Sequence, residues 1–194
     1  MVSFPVIFAD YGSYHSNTVN RIIHILFAPL ILTTILAIIM NYSPHIDIDM
    51  GKTLEFNYAM VFVLLVSVMY LYMDFLSGLL SSTLYIGITL LLTRVYHELI
   101  DTPHYETYFR GVLIVHGLAW AAQIVGHLVF EKRAPQSHPI HTVYSILAAP
   151  HLSMIDLLCA LGYKPKARRE AQMIIDKNIA EFKIAEAKKK KANQ

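Results

Sequence analysis

The segment HGLAWAAQIVGHLVFEKRAP, residues 116–135, is apolar enough to lie in a membrane yet carries two histidines, a tryptophan, a glutamine and a glutamate. With His116 at zero on a helix turning about 100° per residue, Trp120 falls near ~40°, Gln123 near ~−20°, His127 near ~20° and Glu131 near ~60°. All five share one face. Imidazole nitrogens suit Fe, Zn and Cu, and a carboxylate one turn from an imidazole can hold its tautomer. Gln123, Glu131 and Arg133 are the candidate catalytic groups of this stripe. The plainer reading is that the face packs inward, with Trp120 and Gln123 as interhelical contacts. Polar groups in such a run cost free energy unless something satisfies them, which favours function for the set.

The stripe cannot be a complete metal site. His116 and His127 are separated by roughly 16 Å along a straight helix, and metal–nitrogen bonds are about 2.1 Å. It is one wall of a site, and other elements must supply the second wall.

Those elements are membrane helices. The chain is 55% hydrophobic and 15% charged, against about 25% charged for an average soluble domain. The N-terminal MVSFPVIFADYGSYHSN lacks a basic leader and its apolar run is too short for a secretory signal. The single cysteine, Cys159, excludes an intramolecular disulfide and a structural Cys zinc site. Apolar segments at Arg21–Met40, Tyr58–Tyr72, Leu79–Thr93 and Gly111–Phe130 read as four spans. Ser16 or Asn17 can cap the first, and Pro29 should kink it. Asp74, Ser77 and Gly78 suggest a tight hairpin between the second and third. Residues 43–57 and Arg94–Arg110 read as polar connections.

A fifth apolar segment, Val143–Gly162, contains Pro150, His151 and Asp156. It reads as packed on the bundle or re-entrant. The fold class is thus an all-α polytopic membrane bundle of four spans, this fifth segment and a basic C-terminal helix. Residues 1–163 would form the membrane domain and 164–194 an amphipathic cytosolic tail. The tail holds ten of the 16 basic residues and four of the 14 acidic ones, net +6 against −4 for the rest. Anionic headgroups fit that charge better than nucleic acid does. The positive-inside bias puts the tail, Lys132, Arg133 and both termini in the cytosol.

This topology brings His24, one turn into the first span, to the depth of His127, one turn from the end of the fourth. His15 can fold over the same place. His15, His24 and His127 are therefore the candidate metal ligands. Asn20, His116 and Trp120 become outer-sphere or packing residues; Asn20 shares a face with His24. Each of His15 and His24 alone could equally be an interfacial helix-end residue. His97 and His104 fall on the wrong side, His138 and His141 in an unsupported loop, and His45 and His151 have no partners at useful spacing.

The blocks YHSNTVNRIIHILFAPLI, WAAQIVGHLVFEKRAP and ILAAP…LLCALGYKP resemble a family of small endoplasmic-reticulum membrane proteins over residues 11 to about 166. Its characterised fungal member is an Fe(II)-dependent dioxygenase of 2-hydroxy fatty acids in phytosphingosine α-oxidation. The matching positions are His15, Asn20, His24, Pro29, Trp120, Gln123, Gly126, His127, Glu131, Arg133 and Pro135. The sequence departs from the family after Arg133, in APQSHPIHTV, and at Ile124, where Phe is more usual.

The resemblance implies Fe(II) on three histidines, O₂ as co-substrate, a bound 2-hydroxy fatty acid and a product one carbon shorter. Arg133 or Arg21 could pair the substrate carboxylate. The same ligands would serve zinc in a membrane lipid hydrolase, and a non-catalytic lipid-binding protein is the further alternative. The chain has no HxxxH or HH box, which argues against the multi-histidine hydroxylases and desaturases.

Overall fold

The computed structural model describes residues 3–43, 57–133 and 139–192. His45, His138 and the side chain of His141 lie outside what is described, as does most of the 43–57 connection. Among the described residues there are seven α-helices and no strand: α1 Phe4–Tyr14, α2 Thr18–Asn41, α3 Tyr58–Met73, α4 Phe75–Leu99, α5 Tyr105–Val125, α6 Pro139–Ala160 and α7 Pro165–Ala192. A π-helical turn, Gly126–Glu131, continues α5.

Local chemistry starts and stops these helices. The Asn17 side chain accepts from the Val19 and Asn20 amides and caps α2. Asn57 caps α3 and Asp74 caps α4 by the same device. α6 ends with Gly162 at φ 101°, where the Tyr163 amide donates to Leu158 O and the Gly162 amide to Cys159 O. That left-handed conformation suits glycine and closes a Schellman-type cap. The expected Asp74–Gly78 hairpin is present. A Cβ on Gly78 would strike the Tyr70 backbone, so glycine lets α3 and α4 approach closely.

α2 to α5 alternate in direction. At one end Tyr105 OH donates to Asn41, the Tyr58 amide donates to Ser43 Oγ, and Asn57 Nδ2 donates to Thr93 Oγ1. At the other end lie the start of α2, the α3–α4 turn and the end of α5. The outer surface is apolar, including Leu26, Leu65, Val68, Leu91, Ile114 and Leu118, while Ser77, Ser81, Ser82, Thr89 and Thr93 of α4 face inward. Apolar-out, small-polar-in is the pattern of helices packed in lipid.

Four helical stretches are long and apolar enough to cross a membrane: Thr18–Asn41, Phe75–Leu99, Tyr105–Glu131 and Val143–Ala160. The number matches the expectation but the membership differs. α3 has 16 residues, about 24 Å against a hydrocarbon core of about 30 Å. The segment expected to be non-spanning meets the length and apolarity. It is one continuous helix through Pro150, so the re-entrant alternative is corrected. Its polar contacts nevertheless fall at one end of the bundle: Tyr70 OH donates to Leu147 O, Ser81 Oγ meets His151 Nδ1, and Arg21 grips Asp156. Tyr70, Ser81 and Arg21 are each within about two turns of that end. α6 packs across it.

Two further differences matter for the site. The expected Arg94–Arg110 connection is largely helical and shrinks to residues 100–104. The N-terminal segment forms α1, started by Pro5 near its first turn. Phe8, Tyr11 and Ala9 of α1 share a buried cluster with Ile155 of α6 and with Ala171 and Ile175 of α7. α1, α6 and α7 form a cap over the end where the α2 N-terminus and the π-turn meet.

Candidate metal centre

His15, His24 and His127 converge at that end from three elements: the C-cap of α1, the second turn of α2 and the π-turn after α5. Their ring centroids are 4.2, 4.9 and 4.9 Å apart, and one ligand nitrogen from each lies within 4.8 Å of the others. His24 and His127 are buried and His15 half-buried.

Main-chain carbonyls set the tautomers. His15 Nδ1 donates to Tyr11 O at 2.7 Å and His24 Nδ1 to Asn20 O at 2.9 Å. A carbonyl only accepts, so each Nδ1 carries the proton and Nε2 keeps its lone pair. His15 Nε2 and His127 Nδ1 are buried without a hydrogen-bond partner. Orphaned buried nitrogens of this kind are costly unless a ligand takes them. Burial, then the neighbouring His24 and His127, hold the His15 imidazole well below its ordinary pKa. Neutral imidazole is the metal-binding form. The donor set fits one transition-metal ion held by nitrogen.

Glu131 holds the frame. Its carboxylate accepts from Ser16 N (3.0 Å), Ser16 Oγ (2.5 Å), Asn17 N (2.9 Å) and Asn20 Nδ2 (3.2 Å). An anion at the N-terminus of α2 is also favoured by the helix dipole. The tautomer-fixing role expected of Glu131 falls to the Tyr11 and Asn20 carbonyls for His15 and His24. Asn20, fully buried, touches Glu131, Tyr14 O and His24 at once. A Cβ on Gly126 would collide with Asn20 Oδ1, so glycine is what lets the π-turn lie against α2. π-turns inside α-helices concentrate at functional sites.

Both arginines expected near the substrate are engaged. Arg21 makes a bidentate pair with Asp156 at 2.8 and 2.6 Å. Arg133 donates to Ser13 O at 2.9 Å, between the rings of Tyr14 and Phe182. Lys132 at φ 54° turns the chain so that Arg133 reaches this place. His116 is remote from the triad and uses both nitrogens. Nε2 accepts from Trp120 Nε1 at 3.1 Å, so Nδ1 donates to Thr34 Oγ1 at 2.8 Å, and Thr34 donates to Leu30 O.

The triad opens into a mostly apolar cavity of about 720 Å³. Its inner walls are two stripes: His24, Ala28 and Ile31 on α2, and Trp120 and Gln123 on α5 with His127 of the π-turn. Residues from α1, α3, α6 and α7 close the outer side, including Ile174 and Asn178 of α7. The volume suits one lipid-sized ligand.

A family described as 2-hydroxy-palmitic acid dioxygenase Mpo1-like matches residues 1–160. The chain belongs to this family. A curated relative, the 2-hydroxy-palmitic acid dioxygenase MPO1 of Saccharomyces cerevisiae, is 30% identical over 158 residues, 81% of each chain. No solved structure matches.

Sequence reasoning missed four contributors to the site. α1 was hidden by its shortness, although Pro5 near a helix start was a usable signal. The donors to Glu131 required knowing which helix ends meet. Ala28, four residues after His24 on the same face, was legible as a small residue beside a ligand. The cavity contacts of Ile174 and Asn178 were masked by the polarity of the tail around them.

Proposed function

We propose that this protein is a metal-dependent dioxygenase that converts 2-hydroxy fatty acids to fatty acids one carbon shorter, with Fe(II) held by His15, His24 and His127. The observation that carries the reading is a three-histidine cluster with unpartnered buried nitrogens at the head of an apolar cavity. The yeast relative's name supplies the substrate class. The reaction balances as R–CHOH–COOH + O₂ → R–COOH + CO₂ + H₂O. The C1–C2 bond breaks, C1 and C2 together lose four electrons, and O₂ takes them.

When bound, Fe(II) supplies the redox centre at which O₂ and the 2-hydroxy acid meet. The chain's own residues do the rest. Tyr11 and Asn20 carbonyls fix the ring faces of His15 and His24. Glu131 ties the α2 N-terminus to the π-turn, so the three imidazoles stay convergent. The apolar cavity walls take the acyl chain. Arg21 pairs with Asp156 and Arg133 donates to Ser13 O, so both brace the cap, and a bound metal would supply positive charge facing the substrate carboxylate.

The end that carries the site also carries Lys132, Arg133, Lys164 and α7. The positive-inside bias supports a cytosolic placement for it, with both termini on that side, in the endoplasmic-reticulum membrane that the family resemblance implies. The test supplies purified protein with Fe(II), O₂ and 2-hydroxypalmitate. The 15-carbon acid should appear only when all three are present. Its absence with an iron-loaded, folded protein would reject the activity. Zinc-loaded protein serves as the comparison, because nitrogen ligands alone accept either metal.

A further inference from the structure

Ala28 of α2 and Gln123 of α5 line the same cavity. Each is four residues from its triad histidine, His24 and His127, and the two helices run antiparallel, so both lie one turn deeper than the metal centre. Gln123 is 7% exposed, lines the cavity, and its Nε2 has no hydrogen-bond partner.

Three other donors near the site already have acceptors. Arg21 is held by Asp156, Arg133 by Ser13 O, and the Trp120 indole N–H by His116. A buried amide without a partner costs free energy in the empty protein, and a ligand oxygen would relieve it. An amide rather than a cation is the affordable donor here, because an unpaired charge in an apolar cavity would cost far more.

Building on the proposed function, we propose that Gln123 is the residue that selects for the 2-hydroxyl group, by donating from its amide to the oxygen on C2. One helical turn is about 5.4 Å. Gln123 is thus one turn from His127 along the cavity wall, within reach of the polar head of an acid held at the triad. The acyl chain has an apolar cavity to run into, and Gln123 lines it. C2 joins the chain to the carboxylate, so with the chain in the cavity the C2 hydroxyl is the head-group oxygen nearer Gln123. A site that hydrogen-bonds a substrate hydroxyl rejects the analogue lacking it, since the protein's own polar group is then left unpaired.

Trp120 is the chain's single tryptophan and lines the same cavity, so its fluorescence reports occupancy. The experiment compares wild type with Gln123→Met, which keeps the side chain's length, and with Gln123→Leu should the first fail to fold. Each is loaded with iron without oxygen and titrated with 2-hydroxypalmitate and with palmitate, and iron content is measured in parallel. The expected result is a loss of about tenfold or more in affinity for the 2-hydroxy acid. Palmitate affinity should change less than about twofold, and iron content should be unchanged. Equal loss for both acids, or loss for neither, overturns the selection role while leaving the proposed function standing. A wild-type protein that binds iron but neither acid overturns both.

Discussion

His127 and His116 share one helix face, eleven residues apart, and the structure gives them opposite circumstances. His116 spends both nitrogens inside the bundle, one on Trp120 and one on Thr34. His127 keeps Nδ1 buried and unpartnered beside two other imidazoles. The residue type is the same and the depth differs by about three turns. Partners therefore separate the two: a histidine with both nitrogens satisfied is a strut, and one left unsatisfied beside two others is free to take a ligand.

The largest effect expected from breaking this contrast is at the triad. His24→Ala or His127→Ala should abolish metal retention and lower turnover beyond the roughly 10–100-fold typical of a lost outer partner. Helicity should be kept, as circular dichroism would show. A variant retaining full turnover would exclude that histidine as a ligand. Next comes the frame. Gly126→Ala forces the Asn20 side chain aside, and with it the Asn20 Nδ2 bond to Glu131 that ties α2 to the π-turn, so metal affinity should fall about tenfold in a chelator competition. An unchanged affinity would mean that Asn20 gives way freely.

A smaller effect is expected at the strut. His116→Leu leaves the Trp120 indole N–H unpaired and should cost about 1–3 kcal/mol in stability, with a shifted tryptophan emission. Iron content should stay at the wild-type level; its loss would erase the contrast between the two histidines.

The smallest effect tests the cap's attachment. Asp74 lies between α3 and α4 and accepts from Lys164, Tyr163 and Ser77. Burial pushes its carboxyl up, but those hydrogen bonds outweigh burial and hold it below the ordinary value. A depressed folded value means the stabilisation is present above the unfolded carboxyl range, near about 4, and is lost as pH falls through the folded value. Thermal midpoints of wild type should therefore fall with acidification below about pH 4, more steeply than those of Asp74→Asn.

Much of this arrangement was legible. Apolar runs located the bundle, and matching depths on antiparallel helices brought His24 to His127. The helix rise alone ruled out a His116–His127 pair. What stayed hidden depended on tertiary choice. The pattern at Val143–Gly162 fits both a span and a helix packed across a bundle end, and its partners Tyr70, Ser81 and Arg21 come from distant segments. Arg133 looked free in sequence, because nothing local shows that Lys132 turns it towards Ser13 and Phe182. α7 looked like an amphipathic tail apart from the membrane domain because its few buried residues, Ala171 and Ile175, are spread among charges.

The central claim is that three histidines hold one metal ion and His116 does not. Anaerobic loading with Fe(II), removal of excess and elemental analysis test it directly. The account predicts about one iron per chain in wild type and in His116→Leu, and almost none in His127→Ala. Iron retained by folded His127→Ala, or lost equally from folded His116→Leu, would contradict it.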